Sequence, residues 1–355
     1  MAATRLPSQQ QAGGTPSPPQ RGGDPNPPPG RSSTEFQFEE DQADDIVRVV
    51  GWHRKDFSLC VISFDQREHS AVRDSIGSPF PRLSTPTHLG QLERLPLELI
   101  QDVLLCLDIR SLWRFRQLNL ESRQMVNSLV AYRLVTSYAL DVFCALLRTG
   151  LAAHVSLADL FLALCTKTCA LCGEFAGFIF LLPWTRCCHA CLRTSEQTRV
   201  QRWYHSEDVS SLLLSFNALP GRYGMLGDFI VRKSFPLASV WQVRENYGLH
   251  PPGKTGRTQL EETFTYLGAC SLPWYDKRTG RLEHGISCAA CQLAKDNSRS
   301  SKKTTTDWVL DAGGEKMFEQ KEFLNHFRWC AGAQLRWSVS DEGRNRSCAM
   351  PRLGT

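Results

Sequence analysis

What the chain lacks narrows its function first. No aromatic residue precedes Phe36, and residues 1–35 are rich in Pro, Gly, Gln and Ser. Such a stretch cannot bury enough apolar surface to offset its chain entropy. Disorder is therefore expected over 1–45, including the acidic run EEDQADD at 39–45. The opening MAATRLPSQQQAGGTP has none of the apolar character of a secretory signal. No run reaches the roughly 20 apolar residues a membrane helix needs. The longest, Phe175 to Trp184, contains a glycine and a proline. These absences predict a soluble intracellular protein of the cytoplasm or nucleus, with no membrane partner.

Signs of catalysis are also scarce. There is no His-Glu metalloprotease motif and no hydrolase elbow, and GKTGRT (253–258) lacks the spacing of a phosphate-binding loop. No catalytic residue is assigned, and a non-catalytic role is expected. The net charge of +5 is mild, and Lys and Arg are scattered with no basic stripe.

What is present is 42% hydrophobic residues, enough for a core, and 14 cysteines. Intracellular thiols stay reduced, so these cysteines read as metal ligands and buried small hydrophobes, not as a disulfide framework.

Along the chain, IVRVV (46–50) and SLCVISF (58–64) read as short strands in a poorly ordered linker over 46–91 that contains Pro79, Pro81 and Pro86. At Leu92 the pattern becomes helical. LPLELIQDVLLCLD (95–108) repeats apolar residues at helical spacing, with Pro96 suited to the first turn. Asp108 is placed to cap a second helix, RSLWRFRQL, and Asn119 a third, ESRQMVNSLVAYRLV. Helical text continues from Ser137 to Leu147, ending at Gly150, and again over 156–165. RVQRWYHSEDVSSLLLSF (199–216) is compatible with a helix, 296–307 reads as a mobile polar loop, and 315–333 reads as one helix carrying His326 and Cys330. Residues 338–355 read as a flexible tail.

The segment 92–129 resembles the F-box. The match rests on Leu95-Pro96, Glu98, Ile100, Val103, Leu107, Leu112, Phe115, Leu118 and Val126. It departs where Arg123 replaces a usual tryptophan and Asn119-Leu120 replaces Ser/Cys-Arg. The resemblance implies an F-box over 92–135 that docks on a Skp-type adaptor linked to a cullin–RING ubiquitin ligase. Its partner-binding residues would be Leu95, Pro96, Leu99, Ile100, Val103, Leu104, Leu107, Leu112, Phe115 and Leu118. The remaining chain, a helical and Cys-rich region over 136–337, would select a protein substrate. Independently of the name, three helices in about 40 residues cannot be stable alone. The first of them is apolar on more than one face, so it needs another surface.

Cys169-x₂-Cys172, fifteen residues, then Cys188-x₂-Cys191 fits the spacing of a zinc site with two knuckles. Four cysteines leave no open position, so such a site would be structural. The intervening GFIFLL reads as strand, making a small ribbon plausible. Cys165 and Cys187 are left over. A second set pairs Cys288-x₂-Cys291 with His326-x₃-Cys330, the last two sharing a helical face. The competing readings are buried thiols for the first set and ordinary core packing for the second.

The order C-x-L-C-G, then R-C-C-x-x-C, then C-x₂-C with H-x₃-C is similar to that of a large class of fungal F-box proteins. The expected fold is α+β: three F-box helices, then a Cys-rich α+β domain with zinc-ribbon-like elements and two structural zinc ions. A RING ligase is disfavoured, because 96 residues separate Cys191 from Cys288 and the spacing of Cys187, His189 and Cys191 is wrong. The alternative is a zinc-dependent nucleic-acid-binding or scaffold protein acting outside a ligase. Lys167, Arg186, Arg193, Arg199 and Arg202 beside Trp203 and Tyr204 would supply its contacts.

Overall fold

Helix begins inside the segment expected to be tail and linker. In the computed structural model, which describes residues 30–65, 75–76, 89–202, 215–225, 227–247, 259–300 and 315–345, α1 spans Ala43–Val50. The expected strand IVRVV is its second half. Asp44 and Asp45 in the first turn and Arg48 in the last complement the helix dipole. Ile46 and Val50, four apart, are fully buried. The two-residue strand β1 (Gly51–Trp52) and the short helix α2 (Lys55–Leu59) follow. The expected strand at 58–64 is reduced to a single parallel bridge between Ile62 and Cys270.

The next helices obey local rules. They are α3 (Leu97–Cys106), α4 (Ile109–Arg116), α5 (Leu120–Ser128), α6 (Val130–Tyr138), α7 (Leu140–Thr149) and α8 (Leu157–Cys165). Pro96 is the residue before α3 and not part of its first turn. Asp108 accepts a hydrogen bond from the Ser111 N–H and Asn119 from the Ser122 N–H, so both caps form. The long third helix read from sequence breaks at Leu129, whose extended backbone separates α5 from α6. α6 and α7 meet at Ala139 with a bend of 90°. Gly150 ends α7 with φ +87°, a conformation open to glycine. Ser156 and Asp159 form a capping box on α8. Among the described residues no single helix is long and apolar enough to cross a membrane.

The Cys-rich part is built on short strands: β2 (Phe178–Phe180), β3 (Thr185–Cys187), β4 (Val200–Arg202), β5 (Ser215–Asn217), β6 (Gly221–Tyr223), β7 (Phe229–Val231) and β8 (Pro236–Ser239). Strand, not helix, thus stands at both described ends of 199–216, and 203–214 lie outside the described residues. α9 (His189–Thr194) lies between β3 and β4. Beyond β8 come α10 (Val240–Tyr247), α11 (Gln259–Tyr266), β9 (Ala269–Ser271), the hairpin β10 (Trp274–Tyr275) and β11 (Leu282–Glu283), then β12 (Ser287–Cys288). The sheets are antiparallel, in the orders β3-β2-β9, β4-β8-β5, β6-β7, β10-β11 and β1-β12. One hydrophobic core runs from Ile100 and Leu112 through Val142 and Leu160 to Phe178 and Cys270.

The C-terminal part makes a second core with the N-terminal residues. α12 (Ala289–Ser300) continues through the first residues of the expected loop 296–307. The single helix expected over 315–333 is two, α13 (Gln320–Trp329) and α14 (Ala331–Val339), separated at Cys330 by a non-helical backbone. Phe323, Phe327 and Trp337 bury against Ile46 and Val50. Residues 30–38 lie along α13 as an arm. The Ser32 N–H donates to the Trp329 carbonyl and the Phe36 N–H to that of Arg328, while Phe36 and Phe38 set their edges on Phe327. Order therefore extends into the expected N-terminal tail. It also reaches past Trp337, where Ser340 is buried.

Candidate metal centres

The first cluster forms because two tight turns face each other. Between α8 and β2, the Gly173 N–H returns to the Cys169 carbonyl, with Gly173 at φ +80°. This turn presents Cys169 and Cys172. At the end of β3, Cys188 caps α9 and Cys191 lies in its first turn, with the Cys191 N–H 3.4 Å from the Cys188 sulfur. A bond from the Ala170 N–H to the Arg186 carbonyl holds the two turns together. The four sulfurs lie within 4.8 Å of one another, with Cys172 and Cys188 at 3.6 Å.

The second cluster gathers Cys288 at the end of β12, Cys291 on α12, His326 on α13 and Cys330 at the α13–α14 break. The ligand atoms again lie within 4.8 Å of one another. Cys288 and Cys330 are 4.0 Å apart, Cys291 and Cys330 3.7 Å, and Cys291 and His326 Nε2 3.5 Å. A tetrahedral ion with metal–sulfur bonds of about 2.3 Å and metal–nitrogen bonds of about 2.0 Å spaces its ligands by roughly 3.8 Å for two sulfurs and 3.5 Å for sulfur and nitrogen. The observed edges match these values, so each group could hold a metal ion. The His326 ring is fixed by stacking on Phe318, 4.9 Å away and inclined by 22°. Because Cys330 falls at the helix break, it reaches the cluster from a joint and not from a shared helical face.

Packed this closely, the sulfurs shift one another's protonation. The Cys188 thiol holds Cys169 down to about 4, against the opposing effect of burial. The same bond, together with burial, pushes Cys188 up. Cys330 is held low by its bonds to Cys288 and Cys291. Burial acts to lower His326, but its bonds to Cys288 and Cys330 outweigh this and raise it to about 9. A central cation would take over the role of these protons.

All eight ligands expected from sequence are thus brought together, in two groups of four. The two leftover cysteines stay out. Cys187 is fully buried opposite Phe178 in the β2–β3 ladder, and Cys165 ends α8. Among the described residues every cysteine is a free thiol. Sequence reasoning missed Glu315. It sits 3.3 Å from His189 Nδ1 and 2.6 Å from both Arg193 and the buried Lys295. Burial alone would raise its carboxyl, but His189, Lys295 and Arg193 outweigh that and hold it far below the usual carboxylate range. One carboxylate therefore ties α9, which bears Cys191, to α12, which bears Cys291. A cleft of about 750 Å³ opens between the clusters, bounded by Cys172 on one side and by Cys291, His326 and Trp329 on the other.

The expected partner-binding residues divide. Ile100, Leu104 and Leu112 are buried in the core, and Leu107 and Phe115 pack partly against it. Leu95, Leu99, Val103 and Leu118 are 42%, 50%, 53% and 70% exposed, and Pro96 is exposed beside them. The basic residues weighed for nucleic acid are otherwise engaged. Lys167, Arg193 and Arg199 pair with Glu319, Glu315 and Glu196, and Arg186 is buried, donating to the Ala176 and Pro273 carbonyls. Trp203 and Tyr204 lie outside the described residues. Comparison of the chain with protein-family models, curated proteins and solved structures returns no match.

Proposed function

We propose that this chain is an F-box substrate receptor of a cullin–RING ubiquitin ligase, non-catalytic itself, with two structural zinc ions shaping the part that recruits a protein substrate. The carrying observation is the solvent face of α3. Leu99 and Val103, four residues apart, stay exposed, with Leu95 exposed just before the helix, while Ile100 and Leu104 on the adjoining face fill the core. An apolar stripe left in water next to a filled core calls for a partner surface, and each side chain fully covered there contributes roughly 1.5–3 kcal/mol. The stripe falls within the segment that resembles the F-box, so a Skp-type adaptor is its assigned partner.

Zinc is the assigned metal because three or four thiolates in a tetrahedron favour a soft, tetrahedral ion. Four protein ligands per ion leave no open position, which supports structure over catalysis. The cleft between the clusters is the concave surface offered to a substrate.

Affinity purification from the source organism tests the reading. Wild type should retain a Skp-type adaptor, and the pair Leu99→Asp with Val103→Asp should lose it while keeping two zinc ions. Ile100→Asp is a folding control, because that side chain is internal. A folded wild type that retains no adaptor removes the main support.

A further inference from the structure

A cavity of about 230 Å³ lies where the β1–β12 ladder meets the main core. Its charged lining is of one sign. His53, Arg54, Lys55 and His284 face it, with the hydroxyls of Ser58 and Ser271, and among the described residues no carboxylate does. The walls behind them are apolar, from Phe57, Phe178 and Met317. None of these groups belongs to either metal cluster.

The fold builds this arrangement from several elements. β1 pairs with β12, which brings His53 beside the 284–285 turn. The His53 Nδ1–H donates to the Gly285 carbonyl at 3.1 Å, which fixes the ring. α2 places Lys55 and Ser58 on the same side, and β9 brings Ser271 to within 3.4 Å of Ser58. Arg54 is neutralised by Asp56 and bonded to Gln292. Among the described residues, Lys55 and His284 have no such partner. Burial first, and then His53, hold His284 below the usual imidazole range, and no carboxylate opposes them.

We propose that this pocket binds a phosphate group, either inorganic phosphate or the phosphoryl end of a small phosphomonoester. The chemistry fits in three ways. An ammonium, the His284 imidazole and two hydroxyls supply charge-assisted and neutral donors to several oxygens at once. The donors stand in front of the apolar walls and are open to solvent, so a ligand can reach them directly. The volume is below the roughly 300–1,000 Å³ of pockets for drug-sized ligands, so a small group is selected.

Isothermal titration of the full chain with inorganic phosphate, in chloride buffer at neutral pH, tests it. Wild type should show saturable binding at one site. Lys55→Gln and His284→Gln should each weaken binding about tenfold or more, the loss expected of one charge-assisted contact. Lys55 is exposed, so its substitution leaves the fold intact. Arg278→Gln, in a separate open cleft, should change nothing. O-phosphoserine binding more tightly than phosphate would assign the site to an ester, and equal affinity would assign it to the free ion. Absence of saturable phosphate binding by a cooperatively melting wild type overturns the proposal, as does unchanged affinity in both Lys55→Gln and His284→Gln.

Discussion

Cys187 and Cys188 are adjacent in sequence and opposite in role. Cys188 turns its sulfur into the first cluster, while Cys187 turns into the core and is wholly buried. Elemental analysis should therefore find two zinc ions per chain in wild type and in Cys187→Ala, but one in Cys188→Ala. Serine at 187 is harsher than the sequence alone suggests. It buries a hydroxyl where the structure has a thiol in an apolar setting, at a cost of about 1–3 kcal/mol unless a partner is found. Glu315 gives a residue-scale prediction in pH. Its carboxyl is depressed in the folded chain, so its stabilisation is present above the ordinary glutamate value of about 4.3 and is lost as pH falls below it. Glu315→Gln removes the carboxylate shared by His189, Arg193 and the buried Lys295 and should cost roughly 3–5 kcal/mol at neutral pH. That gap from wild type should narrow between about pH 5 and pH 3. Denaturant melts of both proteins across that range check it, and a constant gap would contradict the role given to the carboxylate. The two candidate ligand groups were legible because thiol type and two-residue spacing act locally. Glu315 was not, since nothing nearby in sequence marks its three partners.

At the scale of elements, what the sequence shows depends on how far the deciding contact lies. The caps at Asp108 and Asn119 and the glycine stop at Gly150 are local chemistry, and all three form. Asp108→Ala should cost about 1 kcal/mol and lower Tm by about 2 °C, measurable by calorimetry. α1 shows the opposite case. Ile46, Val47, Val49 and Val50 are β-branched and read as strand, yet Phe327 and Trp337 on distant helices make them helical. α3 was legible as a helix with excess apolar surface, but not which face turned inward. Ile100→Asp should therefore abolish soluble expression, whereas Leu99→Asp should express and melt close to wild type. The reverse pattern would mean that the helix is turned the other way.

Across the described residues, the N-terminal arm and the C-terminal helices close on one another. The arm at 30–38, α1, β12 and the last two helices share one core, and the second cluster sits among them. His326→Ala should lower bound zinc from two ions to one and expose residues 30–52 to limited proteolysis, with adaptor capture unchanged. Structural zinc sites contribute roughly 10–16 kcal/mol of apparent binding free energy, so partial loosening should be evident at once. A protease-resistant arm in that variant would show the second group to be packing alone. This closure also sets an order of events during synthesis. Glu35, which pairs with Arg328, leaves the ribosome 293 residues before its partner. At about 5–20 residues per second the interval is roughly 15–60 s. Throughout it Phe36, Phe38, Ile46 and Val50 have none of their eventual neighbours from α13 and α14. Those apolar side chains therefore stay without their native cover until α13 and α14 emerge.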